Sequence, residues 1–343
     1  MEGGGLISVN EVAPDALPTV SLIVPVRNEE AYIGACLEGI RRQTYPADLI
    51  EVIVVDGIST DATVRAVDEA SIRHGAIRVI ANPAGGMPQG LNLGIDAATG
   101  TYVGVVSGHS VLPEDYVALA VDASIRTGAW SVGGVIVRRA ETPAQRAIAL
   151  ATSSAIGVGD STHNFAEGAG WVETVFPGFW RRELFDRIGL FDPAMTSNED
   201  NELSLRIRKA GGRIWFDPAI RVDYVPRSTL GGLFRQYRLY GLGKMRVLRK
   251  HGGGLRWRHL VPAAWVAFLL LGAFLSALIP GLFAIWLIGI GLYAAVVIAA
   301  GFRLRRGDVR WWRIVASLAT LHLAYGLGTW LGLVTWWSKD PRG

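Results

Sequence analysis

Three long stretches almost free of charge constrain this chain more than any other feature. Residues 260–279, 282–302 and 314–337 run for 20, 21 and 24 residues, and His322 is their only Asp, Glu, Lys, Arg or His. Each meets the roughly 20 residues that a helix needs to cross about 30 Å of hydrocarbon. Pro280 and Gly281 separate the first two, which leaves room only for a tight helical hairpin. Arg303, Arg305, Arg306, Arg310 and Arg313 crowd the connection to the third stretch, and Arg249, Lys250, Arg256 and Arg258 precede the first. Lys and Arg concentrate on the cytoplasmic side of a span. A multi-pass protein of the plasma or inner membrane is therefore expected, with the N-terminal part cytosolic and the Pro280 turn and the C-terminus outside. Trp257, Trp311, Trp312, Trp336 and Trp337 fall at the ends of the spans, as interfacial anchors do. Three buried helices of a soluble protein is the reading that these lengths disfavour.

Just ahead of the spans, Leu230, Leu233, Phe234, Tyr237, Tyr240 or Gly241, Met245 and Leu248 recur at helical spacing, while Arg235, Arg238, Arg246 and Arg249 take other faces. A basic amphipathic helix in this place is expected to lie along an anionic leaflet. The plainer alternative is a surface helix packed on the domain before it. The expected division is a flexible N-terminus (1–18), a cytosolic domain (19–227), an interfacial helix region (228–259), the spans (260–337) and a tail (338–343).

The net charge of +4 hides a split: from Arg249 onward 11 Lys or Arg stand against 2 Asp or Glu, leaving 23 against 28 before it. The basic surplus thus belongs to the apolar segment. A mildly acidic domain argues against nucleic-acid binding, which calls for basic patches beside exposed aromatics. One cysteine, Cys36, leaves no intrachain disulfide and no cysteine zinc site. Residues 1–19 lack the basic-then-apolar order of a secretory signal.

In the N-terminal part, short apolar runs alternate with amphipathic segments. Strands are predicted over residues 20–26, 51–55, 78–81 and 101–106, and helices over 27–42, 61–74 and 87–98. This order implies an α/β fold with a largely parallel sheet, whose ligands bind beyond the carboxyl ends of the strands. The polar residues there are Pro25, Asn28 and Glu29, then Asp56, Ser59 and Asp61, then Asn82, then Ser107 to Ser110 with His109 among them. Such a set suits the base and ribose of a nucleotide, with helix N-termini helping to hold a diphosphate. Asp61, just before Ala62 and Thr63, is equally a helix cap. No P-loop or dinucleotide fingerprint occurs, which disfavours P-loop ATPases and dinucleotide-dependent enzymes.

The strings VSLIVPVRNEEAYIGACLEGIRRQTYP, EVIVVDGISTDAT and NPAGGMPQGLNLGIDAATGTYV, in that order, resemble the nucleotide-binding half of the family 2 inverting glycosyltransferases. DGISTDAT, GHSVLPEDYV and RQYRLYGLGK are most similar to their ExoA-like, succinoglycan-type exopolysaccharide branch. The resemblance covers residues 19–251 and implies a GT-A fold, a Rossmann-like mixed sheet flanked by helices. It places Pro25, Asn28, Glu29 and Asp56 against the uracil and ribose of a UDP-sugar. Most of the family carries a DxD motif after the fourth strand to hold a divalent cation on the diphosphate. Here Ser107 departs from it, while His109 matches a histidine of the branch. A cation held by His109 would favour Mn²⁺ over Mg²⁺, since Mn²⁺ accepts imidazole more readily.

Thr196 to Ala210 reads as a helix capped by Ser197 or Asn198 with acids in its first turn. Those acids are ordinarily dipole partners. The resemblance aligns Glu199 and Asp200 with the family's ED motif and implies that Asp200 is the base removing the acceptor proton. Gln236 and Tyr240 match part of the QxxRW region of processive relatives, with Leu239 breaking it, and Arg235 or Arg238 is left as a substitute cation or a lipid contact. Trp171, Phe179 and Trp180 are expected to border the acceptor pocket, with core packing as the alternative. The expected activity is transfer of a sugar from a nucleotide sugar, UDP-hexose, to a polyprenyl diphosphate-linked saccharide in surface polysaccharide assembly. The alternatives are a polyprenyl-phosphate sugar synthase and an inactive nucleotide-sugar-binding scaffold.

Overall fold

The structure is a computed structural model that describes residues 17–74, 77–159 and 168–338, so the expected flexible N-terminus falls almost wholly outside the described residues. The chain divides into two compact units. One is Met1–Val137 with Phe165–Val225, the other Arg138–Asn164 with Pro226–Gly343. The stretch 138–164, expected within the N-terminal domain, thus groups with the C-terminal helices.

In the first unit, strands β1 (Val20–Val26), β2 (Ile50–Asp56), β3 (Ile77–Ala81) and β4 (Tyr102–Val105) pair in parallel in the order β3-β2-β1-β4. Helices α1 (Ile33–Arg41), α2 (Thr63–His74) and α3 (Met87–Ala97) connect them. Past β4 the sheet continues through β5 (Ser110–Val111), α4 (Tyr116–Thr127), β6 (Ser131–Arg138), β7 (Gly170–Val172), β8 (Phe179–Arg181), α7 (Glu183–Ile188), α8 (Glu199–Lys209) and β9 (Ile214–Tyr224). There the order is β4-β8-β6-β9-β5 with β7 on β9, and the pairs β4–β8, β6–β8, β5–β9 and β7–β9 are antiparallel.

The apolar runs of β1 and β2 are buried on both faces, which is what a covered parallel sheet demands of its central strands. Val20, Leu22, Val24 and Val26 of β1 enter the core under α1 and α4, while Ile23 enters the opposite core under α3, α7 and α8. Each fully buried aliphatic side chain of this kind contributes about 1.5–3 kcal/mol. Helix α3 sits so close to the sheet that a Cβ on Gly94 would lie 2.5 Å from Ile23 Cγ2. That closeness brings the N-terminal end of α3 to the carboxyl edge of the strands.

The second unit holds α5 (Pro143–Thr152), α6 (Ala155–Val158), α9 (Leu230–His251), α10 (Trp257–Leu278), α11 (Pro280–Leu304) and α12 (Trp311–Ser338). Helix α5 opens on a capping box in which Thr142 and Gln145 satisfy each other's backbone N–H groups. Three helices, α10, α11 and α12, are long and apolar enough to cross a membrane. Trp257 and Trp312 are exposed at helix starts, and Trp311 stacks on Phe302 at 4.8 Å. The side chains of Trp336 and Trp337 lie outside the described residues. His322 is explained locally. Its Nε2 donates to the Ile156 carbonyl at 2.8 Å, so Nδ1 is the acceptor, 3.0 Å from the Tyr293 hydroxyl. The basic helix α9 packs against α12, a neighbour that its own periodicity could not name: Gly241 abuts the Tyr325 carbonyl, and Gly328 the Arg238 carbonyl.

Candidate active site

The segment after β1 does not enter α1 directly, as its periodicity suggested. Asn28 adopts a left-handed conformation (φ 55°), which asparagine tolerates, and the helix begins only at Ile33. Residues 27–32 instead form a loop stitched to the one after β2. Asn28 N–H donates to Ser59 Oγ (3.0 Å), and Asn28 Oδ1 accepts from Thr60 N–H (2.8 Å). Glu29 N–H donates to Thr63 Oγ1 (2.7 Å), and Glu30 Oε2 accepts from Ala62 N–H (2.8 Å). Ile58 is held at φ 62°, a costly place for a β-branched residue, between the Gly57 N–H bond to the Val26 carbonyl and the Asp56 carboxylate bond to Ser59 N–H.

These bonds sort the predicted residues. Val26 and Asp56 end their strands side by side, and Pro25, one residue earlier, pairs with Val55. Asp61 is a cap: Oδ1 accepts from Thr63 N–H and hydroxyl, and Oδ2 from Glu30 N–H. Burial pushes its carboxyl up, but these hydrogen bonds outweigh that and lower it. With both oxygens engaged, Asp61 shapes the loop, the capping role that the sequence offered beside a nucleotide contact. Ser59 likewise has its hydroxyl on Asn28 N–H. Asn82 keeps an opening: its Nδ2 donates to the Gly86 carbonyl (2.8 Å), while its buried Oδ1 has no partner among the described residues.

After β4, Ser107 and His109 fold back onto the end of β1. A Cβ on Gly108 would meet Val26 Cγ1 at 2.8 Å and Glu29 Cγ at 3.2 Å. His109 Nδ1 lies 2.9 Å from Glu29 Oε1, and its ring meets the edge of Tyr224 at 4.9 Å. A carboxylate oxygen accepts, so Nδ1 carries a hydrogen, while Nε2 lies 3.3 Å from Ser107 Oγ. Among the described residues no group of three His, Cys, Asp or Glu is gathered to hold a metal. A carboxylate orienting a histidine is nevertheless the arrangement that tunes histidine metal ligands. The donor set therefore fits a single protein ligand to a cation.

The acidic turn opens α8. Asn198 is the N-cap residue, one of the two expected, but it takes a left-handed conformation (φ 61°) and makes no side-chain capping bond. Its helix is fixed from the other side. Arg206 binds the fully buried Glu202 and donates to the carbonyls of Gly189 (2.9 Å) and Leu190 (2.8 Å) behind α7. The preceding loop is tied along α3: Gln89 Nε2 to the Pro193 carbonyl (3.1 Å), and Asn92 to the backbone of Phe191 in both directions. Because α3 starts at the carboxyl edge of the sheet, the loop delivers Glu199 and Asp200 toward that edge. Both are half-buried. Burial, and then the neighbouring Asp200 charge, push the Glu199 carboxyl up to about 7.

Two expected acceptor aromatics are core residues. Phe179 stacks on Tyr102 at 5.2 Å, and Trp180 packs edge-on against Phe185 and Phe191, both in the sheet's core because β8 runs through its centre. Trp171 is exposed on the β7 edge, under the Arg213 guanidinium at 3.5 Å. Arg235, Gln236, Arg238 and Tyr240 lie in the second unit on α9, where Gln236 donates to the Tyr240 hydroxyl (3.1 Å). Thr63 and Tyr224 escaped sequence reasoning. The first looked like an ordinary helix residue, and only the fold brings the second to His109.

A parallel nucleotide-type half sheet extended by antiparallel strands, with polar groups past β1 to β4 and an acidic helix start held along α3, defines a GT-A enzyme. The pattern of the family described as Glycosyl transferase family 2 matches residues 21–189. Succinoglycan biosynthesis protein ExoA of Rhizobium meliloti is 30% identical over 334 residues, covering 94% of this chain and 98% of that protein. The chain belongs to the family 2 glycosyltransferases. A dolichyl N-acetyl-alpha-D-glucosaminyl phosphate 3-beta-D-2,3-diacetamido-2,3-dideoxy-beta-D-glucuronosyltransferase of Methanococcus voltae is 27% identical over 76% of this chain and 82% of its own. The mannosyltransferase PcManGT from Pyrobaculum calidifontis, solved with GDP-Man and Mn²⁺, shares the fold at a TM-score of 0.59 and 23% identity, over 95% of this chain and 89% of that one.

Proposed function

We propose that this enzyme transfers a hexose from a UDP-sugar to a saccharide carried on a polyprenyl diphosphate, with inversion, at the cytosolic face of the cell membrane during surface polysaccharide assembly. The observation that carries the reading is the Glu199–Asp200 turn, half-buried and anchored along α3 toward the edge where Asp56, Asn82 and His109 lie. The names of the relatives support it: one serves succinoglycan biosynthesis and one acts on a lipid-phosphate sugar.

Asp56 and Asn28 face the base and ribose, and the unpaired Asn82 Oδ1 accepts a donor of the nucleotide. His109 Nε2 would hold a divalent cation, Mn²⁺ in preference to Mg²⁺, together with diphosphate oxygens, and when bound the cation neutralises charge on the leaving group. Asp200 takes the proton of the acceptor hydroxyl. The oxygen's electron pair then forms the new bond to the anomeric carbon, the bond from that carbon to the diphosphate breaks on the opposite face, and UDP leaves with the pair. Positioned proton transfer of this kind contributes on the order of 10² to 10⁴ in rate. Glu199, holding its own proton through most of the range below neutrality, limits the negative charge packed into the turn.

The test is turnover by the full chain in nanodiscs, with UDP-hexoses, lipid-linked saccharides and bare polyprenyl phosphate as acceptors, with and without Mn²⁺. Inverted glycosidic product on the saccharide acceptor, lost in EDTA, is expected. Product on polyprenyl phosphate alone would assign a polyprenyl-phosphate sugar synthase. Donor binding without turnover on any acceptor would mark a scaffold, and full turnover in EDTA would remove the cation.

A further inference from the structure

Length and composition allow α12 to span a membrane, but its neighbours are those of a different environment. Only 11% and 6% of the most apolar stretches of α10 and α11 are buried, against 50% of that of α12, the least apolar of the three. Its first half packs Ile314 and Leu318 against Ala147 and Ala151 of α5, and His322 binds the Ile156 carbonyl of α6. Its second half meets α9 backbone to backbone. A Cβ on Gly328 would lie 2.0 Å from the Arg238 carbonyl, one on Gly241 2.2 Å from the Tyr325 carbonyl, and one on Gly332 2.6 Å from Met245 Cβ. Between residues 235 and 250, α9 carries Arg235, Arg238, Lys244, Arg246, Arg249 and Lys250 and no acid.

The contacts of α12 with the hairpin also stop short. On α10 they involve His259, Pro262, Ala263 and Val266, and on α11 Tyr293, Val297, Ala300 and Gly301. Both sets belong to the end of the hairpin that bears the basic segments. From His322 to Trp330, α12 moves from Tyr293 to Ala263 without advancing toward the Pro280 turn. Beyond it Leu270, Phe274, Leu278, Ile285 and Ile288 are exposed. A helix of 28 residues, about 42 Å long, would run the length of the hairpin if it crossed beside it. Placing it in hydrocarbon would also carry the arginines of α9 there.

We infer that α12 does not cross the bilayer: with α9 it forms a helix pair lying in the headgroup layer on the side of the basic segments, and among the described residues α10–α11 is the crossing element. The partner of this surface is an anionic lipid leaflet, matched by the exposed Arg235 and Arg238 of α9 and by Arg303, Arg305, Arg306 and Arg310. The C-terminal end of α12 then returns to the side from which the hairpin enters, opposite to the side expected for a third span.

The inference is independent of donor and acceptor, and labelling tests it. Gly281→Cys, Arg305→Cys and Ser338→Cys are made one at a time in the full chain, whose native Cys36 is buried. Sealed cells of an expression host are treated with a membrane-impermeant maleimide before and after permeabilisation. Gly281→Cys is expected to shift in mass without permeabilisation, and Arg305→Cys and Ser338→Cys only after it. Ser338→Cys reacting together with Gly281→Cys would overturn the inference. As a second readout, green fluorescent protein fused after the last residue is expected to fluoresce, whereas activity of a fused periplasmic phosphatase would show a true third span.

Discussion

Two groups of carboxylates in the first unit are held in contrasting ways. Past β1 and β2, Asp61 has both oxygens on backbone and Thr63 donors, Glu30 caps Ala62 N–H, Asp56 caps Ser59 N–H and Glu29 binds His109. At the start of α8, Glu199 and Asp200 sit next to each other, and burial raises Glu199 to about 7. The first group's energy is in bonds already formed in the folded chain. The second keeps charge in a poorly solvated turn where it can take up a proton. The first group thus holds loops through donors from several residues, while in the second a buried carboxyl stands beside a like charge.

The sharpest way to break this contrast is to change one acid of each kind. Asp200→Asn is expected to leave folding and donor binding intact and to cut single-turnover transfer at least about a hundredfold. Asp61→Asn should lower the Tm with little change in the chemical step, and equal losses of transfer in the two variants would erase the distinction. Next in size, Thr63→Val removes the buried hydroxyl that accepts Glu29 N–H and donates to Asp61. It is expected to destabilise the chain by about 1–3 kcal/mol in thermal or denaturant unfolding.

A smaller effect is expected at the cation. His109→Ala should raise the Mn²⁺ concentration needed for half-maximal turnover, and Ser107→Asp should lower it, with donor selectivity unchanged in both. The smallest concerns pH. Folded Glu199 keeps its proton up to about 7, whereas its ordinary value is 4.5. The stability this gives is complete below the ordinary value and is lost as pH rises through about 7. Glu199→Gln should therefore flatten the fall in Tm across that window, and an unchanged slope would show that Glu199 does not titrate there.

The alternation of strands and helices was legible because β1, β2 and β4 are short apolar runs closed by polar residues, and the period of α2 and α3 is unambiguous. The late start of α1 was not, since residues 27–32 have helical composition and only the long-range bonds from Ser59, Thr60 and Thr63 show the loop. Phe179 and Trp180 look the same in sequence whether they line a pocket or cross a sheet's centre. Helix α5 was the largest omission. Its apolar face pairs with Val297, Ala300, Ile314 and Leu318, well over a hundred residues further along, and no local pattern announces such a partner. A truncation after residue 227 would strip that cover, so the shortened chain is expected to aggregate and not to behave as a clean soluble domain.

That same separation sets an order of events during synthesis. Ala147 and Ala151 leave the ribosome long before Val297 and Ile314 exist to meet them. The strands on either side of α5 can pair while it waits, since β8 needs only β4 and β6. Closure of the second unit therefore waits for the docking of α5 onto helices that are synthesised last.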